Sequence, residues 1–177
     1  MALGLRRRSR ADDPRPSILE RRVWVKAPPS VVWAALHDPH AARTIQRELR
    51  LGPAIGAWPG AGAIRPATLQ LGLLREPASI ESLEARPESR FRYRLVADDL
   101  SSEWSWSFEP LAGGTRVVHL VAVDADSALL VSRWTRWLAG LGRESIGGTL
   151  EAHLRGLKHA AETAASDVLR VRPGTTD

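Results

Sequence analysis

Hydrophobic periodicity changes along this chain of 177 residues, and the change limits the folds that the chain can adopt. A short helical pattern at Val31–Leu36 comes early and is followed by Pro39, which cannot continue a helix. Strand-like alternation fills most of the sequence up to Val123, and the period is helical from Ser127 to Ala165. This order predicts an α+β domain with a curved antiparallel sheet of about six or seven strands wrapped around a long C-terminal helix, and two short helices after the first strand.

The same pattern divides the chain into one domain and two tails. Residues 1–16 are basic, polar and interrupted by proline, which is typical of a disordered segment. We expect a single ligand-binding domain over residues 17–165, which is long enough to bury a full core. Residues 166–177 are expected to form a flexible tail.

Two segments alternate most strictly between large apolar and polar residues, Arg90–Leu95 and Glu103–Glu109. One face of each strand is therefore expected to be buried. If the chain turns at Ala97–Leu100 and again at Leu111–Gly114, the register of the last three strands follows. The predicted pairs are Phe91 with Trp106, Tyr93 with Trp104, Trp106 with His119, Trp104 with Val121, and Phe108 with Val117.

This register predicts an aromatic inner face that carries one imidazole and one phenol. His119 is the best candidate for a ligand contact or an acid or base, because imidazole titrates near neutral pH; the alternative is a hydrogen-bonded core histidine. Tyr93 could orient a carbonyl or hydroxyl group, or could simply pack. We expect Phe91, Trp104 and Trp106 to form core and cavity walls.

The terminal helical pattern adds one more candidate to the site. His153 shares the apolar stripe of this helix with Leu150, Leu154 and Leu157, and is predicted to reach the cavity. The strand register and this helical stripe together give the candidate ligand-binding residues Phe91, Tyr93, Trp104, Trp106, His119 and His153. His119 and Tyr93 are the candidates for catalysis.

The charge of the chain gives little support for nucleic-acid binding. The formal net charge is +5, and residues 1–17 contribute +3 of it, with five arginines and two aspartates. The rest of the chain is close to neutral, so we expect no nucleic-acid partner.

Other sequence signals exclude several classes of site. Absence of cysteine removes thiolate ligands and cysteine nucleophiles. His37 and His40 are close in sequence but lack an obvious third ligand, so no metal is expected, and no cofactor motif is present. No run approaches the roughly 18 apolar residues of a spanning helix, and the N-terminus lacks the order of a signal peptide. We therefore expect a cytoplasmic protein without integral membrane association.

Several short motifs, in this order and spacing, resemble the START/polyketide cyclase-like superfamily, also called SRPBCC, and in particular its bacterial polyketide cyclase/dehydrase-type members. They are Pro28-Pro29-Ser30-Val31-Val32-Trp33, His37-Asp38-Pro39, Gly60-Ala61-Gly62-Ala63-Ile64-Arg65, Gly113-Gly114-Thr115-Arg116-Val117 and a terminal helix over Leu150–Ala164. The resemblance covers residues 18–165 and implies a helix-grip fold. It departs from the family at Ala41–Gln46, where members often carry a tryptophan.

The resemblance implies a cavity between the sheet and the terminal helix that binds a small hydrophobic ligand, such as a lipid, a polyketide or an aromatic metabolite. It also adds Arg65 as a candidate ligand-binding residue, which could pair with an anionic ligand or lie at the surface. One alternative is a polyketide aromatase/cyclase or dehydratase with His119 as base and Tyr93 or Arg65 polarising a carbonyl. Another is a protein- or membrane-interaction module that uses Trp134 and Trp137.

Overall fold

The computed structural model describes residues 17–71, 74–97, 100–123 and 146–170. The elements in chain order are β1 (Ser17–Val25), α1 (Pro29–His37), α2 (Pro39–Ile45), β2 (Leu49–Leu51), β3 (Ile64–Leu71), β4 (Leu74–Arg86), β5 (Arg90–Ala97), β6 (Leu100–Leu111), β7 (Gly114–Val123) and α3 (Ile146–Arg170).

The strands form one antiparallel sheet of seven strands, in the order β1-β7-β6-β5-β4-β3-β2. The helix α3 packs against β1, α1 and α2. The predicted α+β helix-grip architecture is therefore confirmed, including the two short helices after β1. None of the described helices is long and apolar enough to cross a membrane.

The predicted register of β5, β6 and β7 is also confirmed. Phe91 pairs with Trp106 and Tyr93 with Trp104, and on the next ladder Trp106 pairs with His119. Gly113 has a φ of 77° in the turn before β7, a conformation that glycine adopts without steric cost. Because successive residues of a strand face opposite sides, this register buries the aromatic rings and leaves the intervening arginines towards solvent.

The elements after β1 differ from the prediction mainly in their ends. Alternation over Gln46–Leu51 predicts a second strand there, but β2 spans only Leu49–Leu51, because Gln46 ends α2 with its amide donating to the Ala42 carbonyl. The helix α3 continues to Arg170, past the end predicted at residue 165, and the Ser166 hydroxyl donates a hydrogen bond to the Glu162 carbonyl one turn earlier.

A close contact between helices fixes α3 over α2. A Cβ atom on Gly156 would lie 2.8 Å from the Thr44 carbonyl oxygen and 2.9 Å from the Ile45 Cα atom. Real Cβ atoms do not approach other atoms so closely, so the crossing requires glycine at this position. This contact places α3 beside the end of α2, where the candidate site lies.

Some predictions fall on residues outside the described ranges. These are the tail at residues 1–16, the last part of the C-terminal tail, and the helical pattern at 127–145 with Trp134 and Trp137. The interaction-module alternative therefore stays a prediction.

Candidate functional site

An aromatic cavity lies between the helices α1 and α2 and the inner face of the sheet. Its volume is about 20 Å³, which is room for about one water molecule. The residues that line it are Leu36, His37, Ala42, Gln46, Leu51, Trp58, Arg65, Ile80, Phe91, Tyr93 and Trp106. The lining is mostly apolar, with a few polar groups whose hydrogen bonds decide what the cavity can accept.

The floor of the cavity comes from β5 and β6. Phe91 and Tyr93 are neighbours on one face of β5, with ring centroids 5.5 Å apart, and Trp106 lies on the same face of β6. All three are at least 95% buried. The strict alternation of these strands therefore places the three rings together on the inner face of the sheet.

The roof comes from the turn between α1 and α2. Asp38 ends α1 and caps α2, accepting hydrogen bonds from the amides of His40 at 2.6 Å and Ala41 at 3.0 Å. These bonds lower the pKa of the Asp38 carboxyl group. Asp38 joins the two helices directly, and His37 and Ala42 on either side of it line the cavity above the aromatic floor.

One side wall comes from the loop between β2 and β3. Trp58 packs edge-on against Phe91, with ring centroids 5.6 Å apart, and the Arg65 guanidinium lies 5.3 Å from the centre of the Trp58 ring. The Ser82 hydroxyl, at a bulge in β4, donates a hydrogen bond to the Pro59 carbonyl and anchors this loop. Trp58 thus forms the side wall of the cavity next to Phe91 and Arg65.

His37 presents an unpaired nitrogen to the cavity. Its Nδ1 lies 2.9 Å from the Trp33 carbonyl oxygen, so Nδ1 carries the hydrogen and donates it. Burial is the main cause that lowers the pKa of His37, and the ring is therefore neutral at neutral pH. Its Nε2 is then a bare acceptor, buried and without a partner among the described residues.

Two donors lie on the facing floor. The Trp106 indole Nε1 is buried and forms no direct hydrogen bond in the described part of the chain, but it lies close enough to the Tyr93 hydroxyl oxygen to oppose slightly the burial that raises the pKa of that phenol. The Tyr93 hydroxyl oxygen accepts a hydrogen bond of 2.8 Å from Gln46 Nε2, and its own hydrogen has no acceptor among the described residues. Burial raises the pKa of Tyr93, so the phenol stays protonated and remains a donor. The cavity therefore offers one acceptor and two donors.

A buried chain of hydrogen bonds runs behind Trp106. His119 stacks on the Trp106 ring with centroids 3.6 Å apart, and its Nδ1 lies 3.0 Å from the Ser105 carbonyl oxygen. His119 Nε2 lies 3.1 Å from His153 Nδ1, and His153 Nε2 bonds to the Glu48 carboxylate. These hydrogen bonds join the sheet, the helix α3 and the segment after α2.

The donor and acceptor of each hydrogen bond determine where most protons lie in this buried network of His119, His153 and Glu48. His119 must donate from Nδ1 to the carbonyl, and burial lowers its pKa well below the usual value, so its Nε2 is a bare acceptor. His153 must then donate from Nδ1. One further proton lies between His153 Nε2 and Glu48, which makes the pair either an imidazolium with a carboxylate or a neutral imidazole with a carboxylic acid.

The predicted site residues thus divide into two groups. Arg65, Phe91, Tyr93 and Trp106 line the cavity. Trp104, His119 and His153 do not line this cavity; they contact each other in the layer behind Trp106. Because both ring nitrogens of His119 and of His153 are bonded within the protein, neither has a free nitrogen for a ligand.

Sequence reasoning missed His37, Gln46, Glu48 and Trp58. The spacing of His37 and His40 in the sequence points only to a pair of metal ligands, although a histidine at the end of a helix can bond the carbonyl one turn earlier and present its other nitrogen elsewhere. The sequence signal for Trp58 is a large apolar residue in a loop rich in glycine and proline, which is expected to pack against the rest of the domain. Within the described residues, no group of three or more acidic or histidine side chains could hold a metal ion.

The fold is similar to that of solved bacterial proteins. Protein CV1439 from Chromobacterium violaceum superposes with a TM-score of 0.59 and 16% identity, over 82% of this chain and 96% of that one. TTHA0849 from Thermus thermophilus gives a TM-score of 0.58 and 20% identity, over 84% of this chain and 99% of that one. At such low identity these likenesses support the fold alone.

Sequence comparison gives the family. A search of curated protein sequences found no match. The sequence profile described as polyketide cyclase/dehydrase and lipid transport matches residues 18–162, which is most of the chain and nearly the whole described domain. The resemblance seen in the short motifs is therefore confirmed, and the chain belongs to the polyketide cyclase/dehydrase and lipid transport family of the SRPBCC superfamily.

Proposed function

We propose that this protein binds a small, mainly apolar molecule that carries a hydroxyl or carbonyl oxygen, in the cavity beneath α1 and α2. The observation that carries this proposal is the set of unmet hydrogen bonds in an aromatic lining. His37 Nε2 and Trp106 Nε1 are buried without partners among the described residues, and the Tyr93 hydroxyl hydrogen has no acceptor there. Unpaired buried polar groups are costly. A ligand hydroxyl can donate to His37 Nε2 and accept from a donor on the floor, whereas a carbonyl oxygen would satisfy the donors alone.

The size of the cavity sets a condition on binding. About 20 Å³ is far below the roughly 300 Å³ or more of ordinary ligand pockets, so a ligand must displace part of the wall. Trp58 is the side chain that we expect to move, because it is only partly buried and lies in a loop rather than in the sheet. Membership of a family described by lipid transport supports a ligand of this class.

Calorimetric titration with decanol tests this proposal, with a variant that blocks the cavity. Ala42 lines the cavity from α2, so Ala42→Phe would fill the space that the ligand needs. Ala34→Phe is the matched control, because Ala34 is exposed on α1. We expect the wild type and the control to bind decanol and the Ala42 variant to lose most of that binding. Failure of the wild type to bind decanol would contradict the proposal.

A second candidate function is dehydration of a β-hydroxy ketone. Its base would be His37 and not His119, because His37 has a free ring nitrogen and His119 has none. His37 Nε2 would take the proton from the carbon next to the carbonyl, while Tyr93 donates a hydrogen bond to the carbonyl oxygen. The imidazolium would then return that proton to the departing hydroxyl group, which leaves as water. The product is the unsaturated ketone.

Diacetone alcohol is a suitable probe, since its dehydration product absorbs ultraviolet light. If the protein is such an enzyme, His37→Gln should lower turnover by roughly 10²–10⁴ with little change in affinity. His40→Gln is the matched control, because His40 is exposed outside the cavity. Equal turnover in wild type and the His37 variant would exclude this role for His37.

A further inference from the structure

We propose that the ligand is an anionic amphiphile whose carboxylate or phosphate head binds a surface groove beside the cavity. The groove, called here the arginine groove, is defined by Arg43, Arg47, Arg50 and Arg65. This inference rests on the proposed function, since the apolar part of the same molecule would occupy the cavity. It adds a second site and a charge requirement to that function.

The arginine groove has the size of a ligand site. Its volume is about 360 Å³, within the usual range for small-molecule pockets. Four arginines from α2, the α2–β2 connection, β2 and β3 line it, together with Pro39, Ala42, Leu49 and Leu51. No carboxylate is among these lining residues, so the groove concentrates positive charge that attracts an anion.

The guanidinium groups of the groove are not neutralised within the described chain. Arg43 and Arg47 are exposed, and neither forms an ion pair with a described residue. Arg50 donates from Nε to the Gln70 amide oxygen at 3.1 Å, and Arg65 donates from Nε to the Gly52 carbonyl at 3.0 Å. These neutral partners orient the two side chains without cancelling their charge.

Paired arginines elsewhere on the sheet show the contrast. On the outer face of β5, Arg92 and Arg94 each lie 3.1 Å from a carboxylate oxygen of Glu103. Those hydrogen bonds lower the pKa of Glu103. The groove arginines have no such partner among the described residues, although arginine is well suited to bidentate binding of carboxylate and phosphate. We assign the anionic partner of these arginines to the ligand.

Shared walls connect the groove to the cavity. Ala42, Leu51 and Arg65 line both spaces. The Arg65 guanidinium lies against the Trp58 ring, so the charged and aromatic parts of the lining meet there. A molecule with an apolar chain beneath α2 and an anionic head among the arginines would contact both spaces at once. If the apolar chain of the ligand displaces Trp58, Arg65 would remain beside the anionic head of the ligand.

Calorimetric titration with decanoate, decyl phosphate and decanol distinguishes the contribution of an anionic head group to the affinity from that of the apolar chain. The test variant is Arg43→Gln with Arg47→Gln, and the matched control is Arg75→Gln with Arg155→Gln, which removes the same charge outside the groove. We expect the wild type to bind at least one anionic amphiphile more tightly than decanol. The groove variant should bind that amphiphile about five- to tenfold more weakly and decanol unchanged, while the control keeps both affinities.

Each outcome of this titration has one meaning. Preference for decanoate or for decyl phosphate identifies a carboxylate or a phosphate head. Equal affinity of the wild type for decanol and both anionic amphiphiles, or an unchanged affinity in the groove variant, would overturn the proposed head site while leaving the apolar cavity intact. If the wild type does not bind decanol, the proposed function fails, and the amphiphile proposal, which rests on it, fails with it.

Discussion

His119 and His153 meet through their ring nitrogens, Nε2 of one 3.1 Å from Nδ1 of the other, across the boundary between β7 and α3. The two rings are fully or almost fully buried, with exposures of 0% and 1%. Because Glu48 completes the chain from the segment after α2, three parts of the fold depend on one line of hydrogen bonds.

The variant Glu48→Ala, which removes the whole side-chain carboxyl group, should destabilise the fold more than Glu48→Gln, which replaces that group with an amide. In Glu48→Gln the amide can still donate a hydrogen bond to a neutral His153 Nε2, whereas Glu48→Ala leaves that nitrogen without its partner. We expect the alanine variant to lose about 1–3 kcal/mol of unfolding free energy relative to the glutamine variant. Chemical denaturation measures this difference. The control is Glu76→Ala, since Glu76 forms no ion pair with a described residue; an equal loss there would contradict the role of the chain.

The unfolding free energy should fall as the pH drops below about 6.5, the ordinary pKa of histidine. Burial and the neighbouring His153 hold the pKa of His119 well below that value. The unfolded chain therefore binds a proton that the folded His119 does not, and the stability present above this pH is lost in acid. His37 acts in the same direction because burial lowers its pKa as well. The lowered carboxyl pKa values of Asp38 and Glu103 affect stability only at more acidic pH.

The variant His119→Gln isolates this effect in a denaturation series at several pH values. Glutamine keeps a donor and an acceptor but does not titrate, so the slope of unfolding free energy against pH should decrease by up to about 1.4 kcal/mol per pH unit. The exposed His40 provides the control His40→Gln, which should keep the wild-type slope. A slope unchanged by the His119 substitution would show that this ring does not remain neutral in the fold.

The crossing of α3 over α2 gives a third prediction. Gly156→Ala should lower the unfolding free energy by about 1–3 kcal/mol, because the new Cβ would overlap Thr44 and Ile45. Alanine favours helix over glycine, so propensity alone would give the opposite sign. Thermal denaturation measures the net effect, with the exposed position Arg155→Ala as a neighbouring control. Stabilisation by the Gly156 substitution would show that the helices can separate at little cost.

The sequence predicted the register of the sheet because alternation has a period of two and any slip would expose the aromatic rings. Arg90–Leu95 and the turn at Gly113 therefore fixed which residues face Trp106. The chemistry of His119 could not be predicted in the same way. Whether its nitrogens are free depends on where α3 places His153, and no local pattern encodes that distance.

The cavity walls show a similar division. Phe91, Tyr93 and Trp106 follow from strand alternation, whereas His37 and Trp58 reach the cavity through a helix end and a loop. The loop has no periodicity, and its position depends on the bond between Ser82 and the Pro59 carbonyl. Tertiary contacts of this kind decide the polar character of the site, and they leave no local pattern in a single sequence from which they could be predicted.

The most direct test of the central claim is the indole N–H signal of Trp106 in a nitrogen–proton correlation spectrum during titration with decanol. The signal can be assigned by its loss in Trp106→Phe. If the cavity binds a ligand oxygen, the Trp106 signal should shift and saturate with the calorimetric binding curve, while that of Trp24, which is 44% exposed, stays in place. An unchanged Trp106 signal at saturating decanol would contradict the account.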